Sequence, residues 1–175
     1  MSNFCDNIYH ITAATEQLAP LYDVFSTAST RGNEDGWVVS LLHYLGKVDV
    51  NLEDLQQPFE TEVEIEKVDD HTSRLFLSFD TYKYPMSEMT SWLLNATHPS
   101  RLEVKTLAVV EGVGEWEKFE DGEQTINREL AEFHNLDGDY LCVWSDGRVT
   151  DWSYEDVDLE GLTLEQYVAK YELQW

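Results

Sequence analysis

Residues 59–82, FETEVEIEKVDDHTSRLFLSFDTY, decide how this chain is read. In the first half, Phe59, Thr61, Val63 and Ile65 point one way, while Glu60, Glu62, Glu64 and Glu66 point the other. Such period-two alternation marks a strand, here Phe59–Val68, buried on one face and acidic on the other. Asp69–Ser73 is polar and reads as a turn. Arg74–Tyr82 alternates again, with Leu75, Leu77 and Phe79 inward. Two such runs across a short polar break predict an antiparallel hairpin.

Working outward, Phe4–Thr12 reads as a first strand. Leu18, Leu21, Tyr22 and Phe25 recur at helical spacing after Thr15, and Pro20 fits the first turn best, which places the helix start a residue or two beyond Thr15. Ser26–Gly36 is polar and reads as a loop. Trp37–Leu45 is apolar nearly all round and ends at Gly46, which predicts a short buried helix with a glycine cap, with a strand as the alternative. Asn51–Pro58 is a polar connection. Beyond the hairpin, Met86–Thr97 is helical, with Met89, Trp92, Leu93 and Ala96 on one stripe, Ser87 as cap and Pro99 as stop. Arg101–Glu111 is a strand, and Trp116–Glu120 continues the ribbon after Gly112 and Gly114. The order strand, helix, strand, strand, helix, strand predicts a ferredoxin-like (split βαβ) antiparallel sheet with helices on one face. The whole is an α+β protein.

The core so predicted covers residues 1–120, and 121–175 form a C-terminal extension packed on it. Ile126, Leu130 and Phe133 at helical spacing predict a helix over Glu123–Leu136. Tyr140–Trp144 and Val149–Trp152 flank Asp146-Gly147, a two-residue hairpin signal. Thr163 and Gln166 form a capping-box pattern ahead of a last helix. The extension is therefore a helix–hairpin–helix.

The chain has 175 residues, 35 acidic and 11 basic, with a formal net charge of -24. Residues 1–109 carry 17 acids and 7 bases, and residues 110–175 carry 18 and 4. Direct binding to nucleic acid is disfavoured, because it depends on Lys and Arg displacing counterions. An anionic membrane is disfavoured for the same reason. Twenty-four charges match roughly 40 Å of duplex DNA, and a domain of this length is about 40 Å across. Charge per length is thus comparable to that of DNA; the alternative is charge spread over all faces as solvated surface that serves solubility. With 42% hydrophobic and 13% aromatic residues, the chain has ample material for a core. Two cysteines, no basic-then-apolar leader and no long apolar run predict a cytoplasmic protein.

Catalytic and metal signals are thin. His10, His43, His71, His98 and His134 have no His or Cys partner at ligand spacing. Asp156–Gly161 has the acids and glycine of half an EF-hand loop, but Tyr167 stands where the bidentate Glu belongs. Gly112-Val113-Gly114 is followed by Glu117 where a nucleotide fingerprint needs its third glycine. Cys142 lies in an apolar strand and reads as a structural thiol. No metal and no cofactor are expected. The expected partner-binding residues are Glu60, Glu62, Glu64 and Glu66 on the acidic strand face, with Glu115, Glu117, Glu120 and Asp121 in the later acidic ribbon. The structural alternative for the strand face is charge that discourages edge-to-edge aggregation.

Asn3, Phe4, Cys5 and Asn7 resemble the opening of the YubB/Api92-like proteins of plasmids and phages, with Phe4 where those proteins usually have Trp. The strand Phe76–Thr81, followed by Pro85 and a helix containing Trp92, is similar too, as is the later strand ending at Glu111-Gly112. The resemblance covers roughly residues 1–120. It implies a ferredoxin-like domain of mobile-element or phage origin and supplies no catalytic residues. The functional expectation is an acidic, non-catalytic interaction protein that binds a basic protein surface. That partner would be a host nucleic-acid-binding or defence protein, engaged by DNA mimicry or inhibition. The alternative is a small hydrolase-like or other acid–base enzyme with two or three carboxylates in a pocket.

Overall fold

The computed structural model describes residues 4–31, 36–47, 58–136 and 139–171. Two compact units divide the chain, Met1–Asn127 and Arg128–Trp175. Both are α+β, and every described strand pair is antiparallel.

The first unit is built on β1 (Phe4–Ala14), β2 (Phe59–Lys67), β3 (Thr72–Tyr82), β4 (Arg101–Ala108) and β5 (Val113–Glu120), in the spatial order β2-β3-β1-β4-β5. The hairpin read from residues 59–82 is present, with Val63 opposite Leu77 and Ile65 opposite Leu75. Three helices, α1 (Thr15–Arg31), α2 (Gly36–Tyr44) and α3 (Glu88–Thr97), share a core with the inner face of this sheet. Tyr9, Ile11, Leu75, Leu77, Phe79, Leu102 and Val104 meet Leu18, Leu21, Phe25, Trp37, Leu41, Met89 and Leu93 there. At about 1.5–3 kcal/mol per fully buried large apolar side chain, this cluster is the main source of the unit's stability.

Local signals explain the helix ends. After α2, Gly46 takes a left-handed φ of 66°, its N–H donates to His43 O, and Lys47 N–H donates to Leu42 O. That is a Schellman closure, and it needs a residue that tolerates positive φ. Helix α1 starts at Thr15, whose N–H donates to His71 O, and it carries Pro20 in its second turn. It also runs to Arg31, so Ser26–Arg31 is helix and not loop. That stretch is polar but has no Gly or Pro to break the hydrogen-bond ladder. Residues 32–35 of the expected loop and 51–57 of the expected connection lie outside the described residues.

Beta strand β6 (Glu123–Leu136) replaces the helix expected over those residues. It follows β5 through Asp121-Gly122, with φ of 50° and 84°. Positive φ at both central residues is the type I′ hairpin turn that Asp-Gly favours. Ile126, Arg128 and Leu130 are half-buried and alternate with exposed neighbours, as a strand requires. A register shift between Leu130 and Glu132 then resets the phase before Phe133. Even spacing followed by a bulge imitates the 4-then-3 spacing of a helix.

Within the second unit, β6 continues beside β7 (Asp139–Trp144) and β8 (Val149–Thr150), with α4 (Leu164–Tyr171) against Leu136, Leu141 and Val143. The hairpin read at Asp146-Gly147 is present with a three-residue loop. Gly147 N–H donates to Trp144 O, Trp144 N–H donates to Arg148 O, and Gly147 has a φ of 85°. Helix α4 opens with the expected reciprocal cap: Thr163 N–H donates to Gln166 Oε1, and Gln166 N–H to Thr163 Oγ1. The extension is therefore strand, hairpin and one helix, not helix–hairpin–helix.

Candidate functional site on the outer face of the first sheet

Strand alternation sends every second residue of the first sheet away from the helices. In register across that outer face lie Glu62, Glu64 and Glu66 of β2, opposite Ser78, Phe76 and Arg74 of β3. Next come Asp6, Ile8 and His10 of β1, opposite Asp80, Ser78 and Phe76. Glu103 and Lys105 of β4 follow, opposite Lys118 and Trp116 of β5.

The bulge in β2 changes one residue's side. Phe59 pairs with Asp80, but Glu62 pairs with Ser78, so β2 holds one residue more than β3 between these pairs. Glu60 has a φ of 50° in this irregular step. Phe59 therefore lies on the outer face, not on the inner face with Thr61, Val63 and Ile65. Its ring centroid is 4.8 Å from that of Phe4, which in turn is 6.3 Å from Tyr82. Phe4 and Tyr82 are 39% and 54% exposed, an aromatic corner that the fold leaves in water.

Beside that corner on the same face, Asp6 and Asp80 are direct cross-strand partners whose carboxyls share a hydrogen bond. Directly opposed residues have Cβ atoms about 4.5–5.5 Å apart, so like charges there repel. Burial, then the charge of Asp6 and the shared bond, then Glu60, push Asp80 up to about 7. Burial raises Asp6 as well. The pair thus holds a proton near neutrality, where most carboxyls are fully ionised.

Support for this corner comes from the inner side. Asn7 is fully buried, and its Nδ2 donates to Cys5 O, Phe79 O and Thr81 Oγ1, while its Oδ1 accepts from Met86 N–H. Thr81 Oγ1 donates to Tyr84 O. This network ties β1 to β3 and fixes the segment that carries Tyr82.

The other half of the same face is neutralised internally. Glu103 accepts from Trp116 Nε1 at 3.0 Å and from Arg101 at 3.2 Å, with Lys105 Nζ at 3.6 Å. Burial works against ionisation of Glu103, but Lys105, the Trp116 bond and Arg101 outweigh it and hold the carboxyl below its ordinary range. Glu120 pairs with Lys118.

The eight expected partner-binding residues do not form one patch. Glu62, Glu64 and Glu66 stand together on β2. Glu60 sits at the bulge. Glu115 and Glu117 lie on the inner face, opposite Thr106 and Val104, and Glu120 lies on the outer face opposite Arg101. Burial and Glu115 together raise Glu117. Asp121 is in the type I′ turn. Missed by the sequence reading are Asp6, Asp80 and the outward placement of Phe59. The acid and glycine cluster at 156–161 is engaged internally: Arg148 makes a two-pronged contact to Asp156, and Glu160 accepts from Lys170 and Tyr171.

Two cavities add little chemistry. One of about 530 Å³ lies beside the end of α3, with His98, Ser100 and Asp121 in its wall. Ser100 Oγ there donates to Thr12 O. The other, about 660 Å³, has the pair His134–Glu132 at 3.1 Å facing the start of α4. Neither contains Asp6 or Asp80. Among the described residues, no three His, Cys, Asp or Glu are grouped to hold a metal ion, and no helix is long and apolar enough to cross a membrane. No family model, curated protein or solved structure matches the chain.

Proposed function

We propose that this is a non-catalytic, cytoplasmic interaction protein that binds a basic protein surface through the β2–β3–β1 half of its outer sheet face. The observation that carries this reading is an unanswered row of carboxylates. Glu62, Glu64 and Glu66 run along one face of β2, and among the described residues the only cross-strand cation opposite them is Arg74, 3.7 Å from Glu66. Successive carboxylates on such a face are about 6.6 Å apart. A net charge of -24 extends the attraction beyond contact range. Partners that normally hold nucleic acid fit best, so DNA mimicry or inhibition of a host defence protein is the form we favour. The strand–helix order and the order β2-β3-β1-β4 support a ferredoxin-like first unit, and with it the resemblance to the YubB-like proteins of mobile elements.

The test begins with a pull-down from the native host and continues with association kinetics on the partner recovered. Association should slow steeply as salt rises, because screening acts within about 8–10 Å at physiological ionic strength. Replacing Glu62, Glu64 and Glu66 together by Gln should slow it about tenfold or more. Salt-insensitive association would discard the electrostatic reading. Unchanged kinetics in the triple variant would clear β2 of the role.

A further inference from the structure

We propose that the aromatic corner of Phe4, Phe59 and Tyr82, beside Asp6 and Asp80 on the same sheet face, seats an arginine side chain of a basic protein. The proposal rests on the reading above and names the contact at its centre. Large aromatic side chains normally bury most of their surface on folding. Here Phe4 and Tyr82 stay 39% and 54% exposed and are gathered with Phe59 at one end of the sheet. Next to them on the same face, two carboxyls face each other across β1 and β3.

Aromatic faces attract cations, and a pair of adjacent carboxyls does so more strongly. Among the described residues, no Lys or Arg forms an ion pair with Asp6 or Asp80. The cations nearest in the fold are otherwise engaged. Lys105, diagonal to Asp6, is held by Glu103 and lies 4.9 Å from the Trp116 ring centroid. Arg74 faces Glu66. Lys83 lies 5.6 Å from the Tyr82 ring centroid, so the chain already draws one cation of its own to the rim of this corner. Glu60 and Glu62 add negative charge beside it.

Arginine fits better than lysine. Its planar fork offers two parallel N–H groups to two acceptors, and its flat face stacks on rings. A guanidinium between Asp6 and Asp80 would also remove the reason for one of them to stay protonated, so binding should release a proton near pH 6–7.

The experiment uses the full chain, isotope-labelled, titrated with acetyl-Gly-Arg-Gly-amide and followed by NMR. The citrulline counterpart, equal in shape but uncharged, is the control. The arginine peptide should give saturable shifts centred on residues 4–6 and 80–82, tighter at pH 8 than at pH 5. The citrulline peptide should bind at least about tenfold more weakly, equivalent to about 1.4 kcal/mol. Asp6→Asn with Asp80→Asn should abolish that preference and the pH dependence while the chain stays folded, and Tyr82→Ala should weaken binding about threefold or more. Shifts absent from this corner, equal binding of the two peptides, or a preference that survives the Asn pair would each overturn the proposal. A basic host partner with salt-sensitive kinetics but no arginine preference at this corner would leave the broader reading standing. Arginine binding here with no basic partner in the host would do the reverse.

Discussion

The two halves of the outer sheet face carry acidic residues to opposite ends. On β4 and β5, Glu103 is met by Arg101, Lys105 and the Trp116 indole, and Glu120 by Lys118. On β1, β2 and β3, Asp6 faces Asp80, and Glu62 and Glu64 face Ser78 and Phe76. Each half follows from which residue types the register brings opposite one another. A count of carboxylates therefore says little about where a surface is prepared for a partner. What matters is whether the chain supplies the counter-charge. Where it does, the carboxylate is a structural part. Where it does not, the fold bears repulsion that a partner could relieve.

Removing the counter-charged acid should have the largest effect on this contrast between the two halves. Glu103 and Lys105 have side chains only 14% and 16% exposed. Glu103→Ala removes the carboxylate that lies 3.6 Å from partly buried Lys105 Nζ and the oxygen that accepts from Trp116 Nε1 at 3.0 Å. We expect a loss of about 2 kcal/mol in urea unfolding at neutral pH. The sign with pH is fixed by the direction of the shift. A carboxyl held below its ordinary range stabilises the fold above its unfolded pKa, near 4.3, and loses that contribution as pH falls through its folded value. The wild-type advantage over Glu103→Ala should therefore shrink in acid. A variant as stable as wild type at neutral pH would mean that this half is not neutralised by the contacts described.

Asp80 should behave oppositely. Its folded pKa of about 7 lies above the unfolded value near 3.9. Between those values the native state binds more protons than the unfolded one, so stability falls as pH rises. Asp80→Asn removes this slope. At pH 8 the variant should be more stable than wild type by about 1–2 kcal/mol, once solvent screening of a partly exposed group is allowed for. Near pH 4 the two should converge. Urea midpoints at pH 4, 6 and 8 check this, and a variant less stable than wild type at pH 8 would show that the carboxyl pair is not under repulsion.

How much of this was legible in the sequence depended on the reach of each signal. The hairpin over 59–82, the glycine closure after α2 and the Thr163–Gln166 cap are local, and each is decided by residues within a few positions of one another. Strand β6 imitates a helix because Ile126, Leu130 and Phe133 satisfy a helix as well as a bulged strand, although Asp121-Gly122 is a hairpin signal just ahead of it. The outward turn of Phe59 depends on one extra residue in β2, which alternation counted from the sequence cannot detect. The Asp6–Asp80 pair joins residues 74 positions apart and exists only through the pairing of β1 with β3. Abundant acids hid it, since neither aspartate stands out among 35.

The smallest expected effect bears on the acidic strand itself. Glu62, Glu64 and Glu66 repel one another along β2, but all three are exposed, and solvent and salt screen such charges well. Replacing them with Gln keeps side-chain size and removes three charges. It also removes the Glu66–Arg74 contact, which at 3.7 Å between exposed side chains is worth little. Relief of repulsion and loss of that contact partly cancel, so stability should rise by no more than about 0.5–1 kcal/mol at low ionic strength. The gain should vanish in 1 M salt, where the screening length falls to about 3 Å. Urea unfolding of the triple variant in low and high salt measures both. A marked loss of stability would mean that these glutamates hold the sheet edge rather than burden it, and the strand would then resemble the neutralised half of the face.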